Sequence, residues 1–118
     1  MKVSLKVKVE SADNCIKLNT KGILNEKTNI LTYSEEKNTK VKLSFDKNEL
    51  IRENEEIIMN LCFVPGKKTS AKIYMKELHQ EIFLELKTIE IVKKSSFYKV
   101  IYQIEGTHIN EYSLELEK

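Results

Sequence analysis

The chain carries few side chains that could do chemistry, and their spacing matches no catalytic or metal-binding motif. It has two histidines, two cysteines and two aspartates among 118 residues. Cys15, Cys62, His79 and His108 lack the paired short spacings by which structural zinc sites are recognised. The three glycines stand apart from one another, so the sequence has no glycine-rich phosphate-binding loop. We therefore expect no metal, no cofactor and no catalytic residue, and a protein that is not an enzyme.

Arg52 is the polar residue with the most unusual setting. It is the single arginine among 20 basic residues, and it follows Leu50 by two positions. On a strand, these two side chains share one face. If that face is the interior, the guanidinium needs a carboxylate or a bound anion beside it, and we expect Glu36 to be that carboxylate. The alternative is an arginine at a strand end that extends its charged head into solvent.

Tyrosines and a threonine are the other candidates for a polar site. Tyr98 and Tyr102 occupy the apolar phase of an alternating segment near the C-terminal end. The hydroxyl of a buried tyrosine usually finds a hydrogen-bond partner, and it can also orient a ligand. We predict that Arg52, together with Thr88 or Tyr102, anchors a ligand. The alternative is that these tyrosines only fill the core.

The elements that must position these residues are strands, because apolar and polar residues alternate along most of the chain. A period of two is typical of strands with one buried face. Runs of this kind are separated by short turn-rich breaks, which predicts an antiparallel sandwich or barrel. The alternating runs cover residues 3–9, 16–18, 41–45, 57–63, 71–75, 98–104 and 112–116.

Two segments, residues 47–61 and 77–92, fit a helix as well as a strand. Residues 46–49 resemble a helix-capping box, and the apolar residues between positions 78 and 89 have the spacing of one helix face. As a strand, the second segment changes the phase of its apolar residues near Thr88, which requires a bulge or a bend. The pattern alone leaves both alternatives open.

Composition and charge define the class of protein. The chain of 13.8 kDa is long enough for one domain, residues 1–118. Its 41% hydrophobic and 32% charged residues exclude a disordered chain. The net charge of +2 comes from interspersed signs, so we expect no nucleic-acid interface. The sequence lacks a membrane span and the apolar region of a signal peptide, which predicts a cytoplasmic protein. With two cysteines we expect reduced thiols and no disulfide framework. We expect a monomer or a homodimer.

Several short motifs follow one another through the central and C-terminal parts of the chain. They are Tyr33-Ser34-Glu35-Glu36, Leu50-Ile51-Arg52, residues 59–66, Tyr74, Leu84-Glu85-Leu86-Lys87-Thr88 and residues 98–104. Their order and spacing over residues 16–117 resemble the YwiB-like family of small bacterial proteins. The resemblance implies a calycin-like (lipocalin-like) β-barrel in which both ambiguous segments are strands, and it implies no particular activity. The family has a turn glycine before the Leu-Glu-Leu segment. This chain lacks that glycine and has residues 79–81 near the corresponding position.

We therefore predict an all-β fold, an antiparallel calycin/lipocalin-like barrel of about eight to ten strands. The first functional hypothesis is that the barrel binds a small apolar or amphipathic ligand, which could be an anion. Its site residues would be Arg52, Thr88, Tyr102 and Glu36. The alternative is a barrel that is filled by its own side chains and acts as an interaction or structural module. An OB-like barrel that binds single-stranded nucleic acid is disfavoured, because basic and aromatic residues do not cluster.

Overall fold

Ten antiparallel strands close into a barrel in the structure, a computed structural model that describes residues 1–36 and 38–117. Each strand pairs with the next along the chain, and the first pairs with the last to complete the barrel. The strands are β1 (Lys2–Ser11), β2 (Asn14–Asn25), β3 (Ile30–Glu35), β4 (Thr39–Ser44), β5 (Glu49–Glu53), β6 (Ile57–Cys62), β7 (Lys68–Met75), β8 (Gln80–Lys94), β9 (Phe97–Ile104) and β10 (Ile109–Glu117). This architecture confirms the predicted all-β barrel of about eight to ten strands, and it is consistent with a calycin-like fold.

Both ambiguous segments are strands. Residues 47–61 contribute β5 and most of β6, and residues 77–92 contribute most of β8. The residues that resemble a capping box lie instead at the turn between β4 and β5, where Asn48 has a φ of 51°. Asparagine tolerates this left-handed conformation better than most residues. The helix alternative is therefore wrong for both segments.

The described residues include no helix that is long and apolar enough to cross a membrane.

β8 bends at the position that the change of phase predicts. Its pairing with β9 shifts register between Thr88 and Glu90, and the skipped residue Ile89 is 43% exposed. Because Ile89 has no partner in β9, Thr88 before it and Ile91 after it both point to the inner face, although they are three positions apart. The turn that leads into β8 contains His79 with a φ of 50°.

Alternate residues of the strands point into the barrel and fill its centre. Twelve large apolar or aromatic side chains are less than 2% exposed there, so the middle of the barrel is a packed core. They are Tyr98, Tyr112, Phe63, Leu5, Leu31, Leu43, Leu50, Leu61, Leu86, Leu114, Val41 and Val100.

β2 and β3 are joined along only part of their length. β1 pairs with residues 14–23 of β2, whereas β3 pairs only with residues 22–25. The pairing begins at Gly22, where a Cβ atom would lie 2.8 Å from the carbonyl oxygen of Thr32 and 2.9 Å from a methyl group of Leu5. A glycine is needed at this point because the two backbones approach too closely for a side chain. Beyond it β3 leaves β2, and in the described chain no strand pairs with that edge of residues 14–21.

Candidate functional site

Arg52 lies on the inner face of β5, close to the end of the barrel at which β5 terminates. Across the sheet it pairs with Val41 on β4 and Met59 on β6. Leu50, two residues earlier, is only 1% exposed, which confirms that the two side chains share the interior face. The Arg52 side chain keeps 20% of its surface exposed, because it stands where the core opens to the outside. We call this open end the barrel mouth.

The carboxylate that pairs with Arg52 is Glu35, so the prediction of Glu36 is wrong. Nη2 of Arg52 donates to Oε2 of Glu35 over 3.3 Å. Glu35 ends β3 in the same phase as the buried Tyr33, and therefore it points inward. Glu36 is the next residue, lies in the turn after the strand and is exposed. Glu36 lines the same pocket as Arg52, but no ion pair joins the two side chains among the described residues.

The remainder of the Arg52 guanidinium is held by the ring of Tyr112. The Cζ atom of Arg52 lies 5.4 Å from the centroid of this ring, within the range of a cation–π contact. Nε of Arg52 is buried and has no hydrogen-bond partner among the described residues. Burial lowers the pKa of Arg52, but the charge of Glu35 and the nearby tyrosines outweigh it and raise the pKa. The cation is therefore permanent.

Two tyrosine hydroxyls extend this polar cluster across the barrel. The hydroxyl of Tyr33 donates to Oε2 of Glu35 over 3.3 Å, and its oxygen lies 2.7 Å from the hydroxyl oxygen of Tyr112. Since Tyr33 has one proton to give, Tyr112 is then the donor in the shorter bond. Burial, followed by the charge of Glu35, raises the pKa of Tyr33, and burial is also the first cause of the raised pKa of Tyr112. Both hydroxyls thus stay protonated over the ordinary pH range.

A pocket of about 230 Å³ lies at the mouth beside this cluster. One wall is aliphatic and comes from β1 and β2, while the facing wall is polar and comes from β3, β5 and the turn after β3. The aliphatic wall consists of Val7, Val9, Ile16 and Leu18, and the polar wall consists of Glu35, Glu36 and Arg52. We call it the mouth pocket. Two carboxylates and one guanidinium give the lining a formal charge of −1, so the pocket offers both donors and acceptors next to an apolar surface.

The structure brings only two of the four predicted site residues to this pocket, Arg52 and Glu36. Thr88 is fully buried, and its Oγ1 accepts a hydrogen bond from the backbone N–H of Val64 over 3.2 Å. The ring of Tyr102 packs against Phe63 at a centroid distance of 5.1 Å. Burial raises the pKa of Tyr102, and the charge of Arg52 partly offsets this. Neither Thr88 nor Tyr102 lines the mouth pocket.

Sequence reasoning did not identify Glu35, Tyr33 and Tyr112 as members of the cluster. The phase of β3 contains the signal, because Tyr33 and Glu35 follow the apolar Leu31 at intervals of two. The contribution of Tyr112 has no comparable local signal, because it depends on how distant strands face each other across the barrel.

The part of the chain that the structure describes contains no group of three or more histidine, cysteine, aspartate or glutamate side chains arranged to hold a metal ion. The lining of the mouth pocket offers a guanidinium, two carboxylates and an aliphatic surface, which can make charged hydrogen bonds and apolar contacts.

Comparisons with known proteins identify a family model and a solved structure that are similar to this chain. A family model described as "Domain of unknown function (DUF1934)" matches residues 1–116. Among solved structures, the chain is similar to the YwiB protein from Bacillus subtilis, with 25% sequence identity and a TM-score of 0.64. The similarity covers 98% of this chain and 89% of that one. No curated protein matches the chain.

Proposed function

The chain belongs to the DUF1934 family and is YwiB-like, and from that premise we propose that it binds a small amphipathic molecule in the mouth pocket. The observation that supports this most is the position of Arg52. Its guanidinium is paired on one side only and forms part of a wall that faces four aliphatic side chains. An apolar surface with a few convergent polar groups is the usual character of a ligand site.

The charges of the pocket lining limit the kinds of head group that the ligand can have. A bare anion that approaches Arg52 also approaches Glu35 and Glu36, and their two carboxylates repel it. A head group that accepts from the guanidinium and donates to a carboxylate satisfies both sides of the polar wall. Primary amides, alcohols and zwitterions have this property, so we favour an uncharged or zwitterionic head over the anionic one.

The size of the pocket limits the body of the ligand. A volume of about 230 Å³ is below the range of about 300–1,000 Å³ that is usual for drug-sized ligands. At about 30 Å³ for each water molecule, it equals the volume of about eight waters. The ligand is then a short chain that lies against Val9, Ile16 and Leu18, since the packed centre of the barrel stops it from reaching deeper.

Hexanamide and hexanoate form a pair of probes that test this proposal by NMR titration. They have equal chain lengths and differ in the head group. We expect hexanamide to shift the amide signals of β1, β2 and β5 with a Kd of about 1 mM, the affinity of a ligand of this size. Hexanoate should bind at least about fivefold more weakly, because its charge meets two carboxylates. Equal binding of both probes, or shifts confined to other strands, contradicts the proposal.

Two variants provide the controls. Val9→Trp fills the pocket without removing any member of the polar cluster, and it should abolish the hexanamide shifts while the rest of the spectrum is preserved. Lys93→Met alters a separate pocket of about 280 Å³ at the opposite end of the barrel, and it should leave hexanamide binding unchanged. If Lys93→Met, rather than Val9→Trp, removes binding, the mouth pocket is not the site.

The packed centre also favours the second candidate, a filled barrel that acts as an interaction module. In that case neither probe binds at the mouth, and the outer surface and the strand edges carry the function.

A further inference from the structure

The free edge of β2 is a place where the barrel has unpaired backbone groups. Residues 14–21 pair with β1 on one side, and on the other side no described strand pairs with them. A strand in this position presents a row of N–H and C=O groups, which is a template for the addition of another strand. Ile16 and Leu18 of this edge also form part of the aliphatic wall of the mouth pocket, so a strand bound there and a pocket ligand compete for the same apolar contacts.

Lysines dominate the outer surface around this edge. Lys17 and Lys21 lie on β2 itself, and Lys40 and Lys42 lie on β4 across the opening. All four are exposed, and none has a carboxylate oxygen within 4.0 Å among the described residues. A partner that lies along the edge therefore meets a positive field on its outer side.

A shallow outer groove continues from the edge across β3 and β4. It has a volume of about 610 Å³ and includes Lys2, Lys21, Lys40 and Lys42. Its one carboxylate, Glu53, is bound by Lys76, whose Nζ lies 2.7 Å from Oε2 of Glu53. The groove is therefore basic as a whole, and its charge is complementary to an acidic partner.

The inner side of the same edge is apolar. Ile16 is 51% exposed although it occupies the inward phase of β2, and Leu18 follows it on the same face. Strand addition places successive side chains of the partner on opposite faces of the sheet. A fitting partner thus alternates apolar residues, which contact Ile16 and Leu18, with acidic residues, which face Lys17 and Lys21.

We propose that the free edge of β2 binds an extended acidic peptide segment by antiparallel or parallel strand addition, with acidic and apolar residues in alternation. A second copy of this chain fits the edge less well, because edge-to-edge pairing of two β2 strands brings Lys17 and Lys21 of one copy against those of the other. Like charges on paired strands are destabilising. An extended nucleic acid shares the negative charge but lacks the backbone donors and acceptors of a strand.

The test uses a blocked peptide that alternates glutamate with valine and is as long as the free edge. Hydrogen exchange followed by NMR should show slower exchange, by more than about tenfold, at alternate amides of residues 14–21 when the peptide is added. Two further peptides of the same sequence are N-methylated, one on its glutamates and the other on its valines. Antiparallel addition uses the glutamate N–H groups and parallel addition uses the valine N–H groups, so one of these two peptides should bind at least about tenfold more weakly than the other. Equal binding of these two peptides overturns strand addition.

Charge reversal tests the role of the lysines. The double variant Lys17→Glu plus Lys21→Glu should weaken binding of the glutamate–valine peptide by about tenfold or more. Lys27→Glu plus Lys47→Glu makes the same change of net charge on exposed turn residues at the other end of the barrel, and it should leave binding unchanged. Equal losses in both variants overturn the proposed location.

Two further outcomes also overturn the proposal. Protection of residues 14–21 that appears without peptide and increases with protein concentration identifies a second copy as the occupant. A single-stranded oligothymidylate that binds the edge more tightly than the peptide does, with the same dependence on Lys17 and Lys21, identifies a nucleic acid instead.

Discussion

The hydroxyl oxygens of Tyr33 and Tyr112 lie 2.7 Å apart inside the barrel, although the two residues are 79 positions apart in the chain. Their bond connects β3 to β10 across the core rather than along the sheet. It belongs to a chain of donors and acceptors in which Tyr112 donates to Tyr33, Tyr33 donates to Glu35, and Arg52 donates to the same carboxylate oxygen. The position of each residue in this series of hydrogen bonds determines how much free energy of unfolding its substitution should cost.

Tyr33→Phe should destabilise the protein more than Tyr112→Phe. The first change leaves the buried Tyr112 hydroxyl without its acceptor and removes a donor from Glu35, at a cost of about 1–3 kcal/mol. The second leaves Tyr33 bound to Glu35, and it should cost about 0.5–1.5 kcal/mol. Urea unfolding measures both values, with Tyr74→Phe as a control near the surface. The double variant should cost less than the sum, and equal costs for the single changes would contradict the assigned directions.

Arg52→Met should lower the free energy of unfolding by about 2 kcal/mol or more, because it leaves the carboxylate of Glu35 without its cation. The pair is one-fifth exposed, so the loss should fall short of the full cost of breaking a buried pair. Adding Glu35→Gln should recover part of the loss, with a coupling energy of about 0.5–3 kcal/mol. Glu36→Gln is the matched control and should show no coupling with Arg52→Met. Coupling to Glu36 rather than Glu35 would contradict the observed pair.

Stability should fall at alkaline pH. Burial is the first cause of the raised pKa of Tyr33, Tyr98, Tyr102 and Tyr112. A group with a higher pKa in the folded state keeps its full contribution below the pKa of the unfolded chain, about 10 for tyrosine, and loses it above that value. Each tyrosine should then remove about 1.4 kcal/mol per pH unit. Phenolate absorbance should rise together with unfolding, and Tyr102→Phe should reduce the slope; ionisation of these tyrosines in a folded barrel would contradict the prediction.

Gly22→Ala should separate β2 from β3. The new Cβ would lie 2.8 Å from the carbonyl oxygen of Thr32, and this backbone atom can retreat only if the strands move apart. Overpacking of this kind typically costs about 1–3 kcal/mol. Hydrogen exchange should be faster at residues 22–25, with Ile23→Ala as an exposed neighbouring control. Unchanged exchange would mean that the close approach at Gly22 is not required.

The local alternation of residues made the strands predictable, and it placed Arg52 on the same face as Leu50. Whether that face is the interior stayed open until the barrel was seen. The bend in β8 was also predictable, because the phase of the apolar residues changes beside Thr88. Whether residues 47–61 were helical could not be decided from spacing, since the pairing partners of β5 and β6 decide it. The resemblance to a known family resolved that choice.

The composition of the site was less predictable than the fold. Glu35 could have been predicted as the partner of Arg52, because it shares the phase of Tyr33. The prediction chose the next residue, Glu36, instead. Thr88 was predicted to anchor a ligand. It is buried, and its hydroxyl oxygen accepts from the backbone N–H of Val64, a contact that depends on the path of the β6–β7 loop. The divergence of β2 from β3 depends on pairing between segments and has no signature in either strand alone.

The closure of the barrel by β1 and β10 constrains the order in which the chain can fold. Nine of the ten ladders join consecutive strands and can form as local hairpins, whereas the seam aligns Ser4 with Glu117 and must wait for the rest. Before closure, the open sheet has two edge strands with unpaired backbone groups, and such edges promote aggregation. Lys6 faces Glu115 across the seam, and Lys8 contacts Glu111. One edge is thus basic and the other acidic, so each attracts its own partner and repels the same edge of a second molecule.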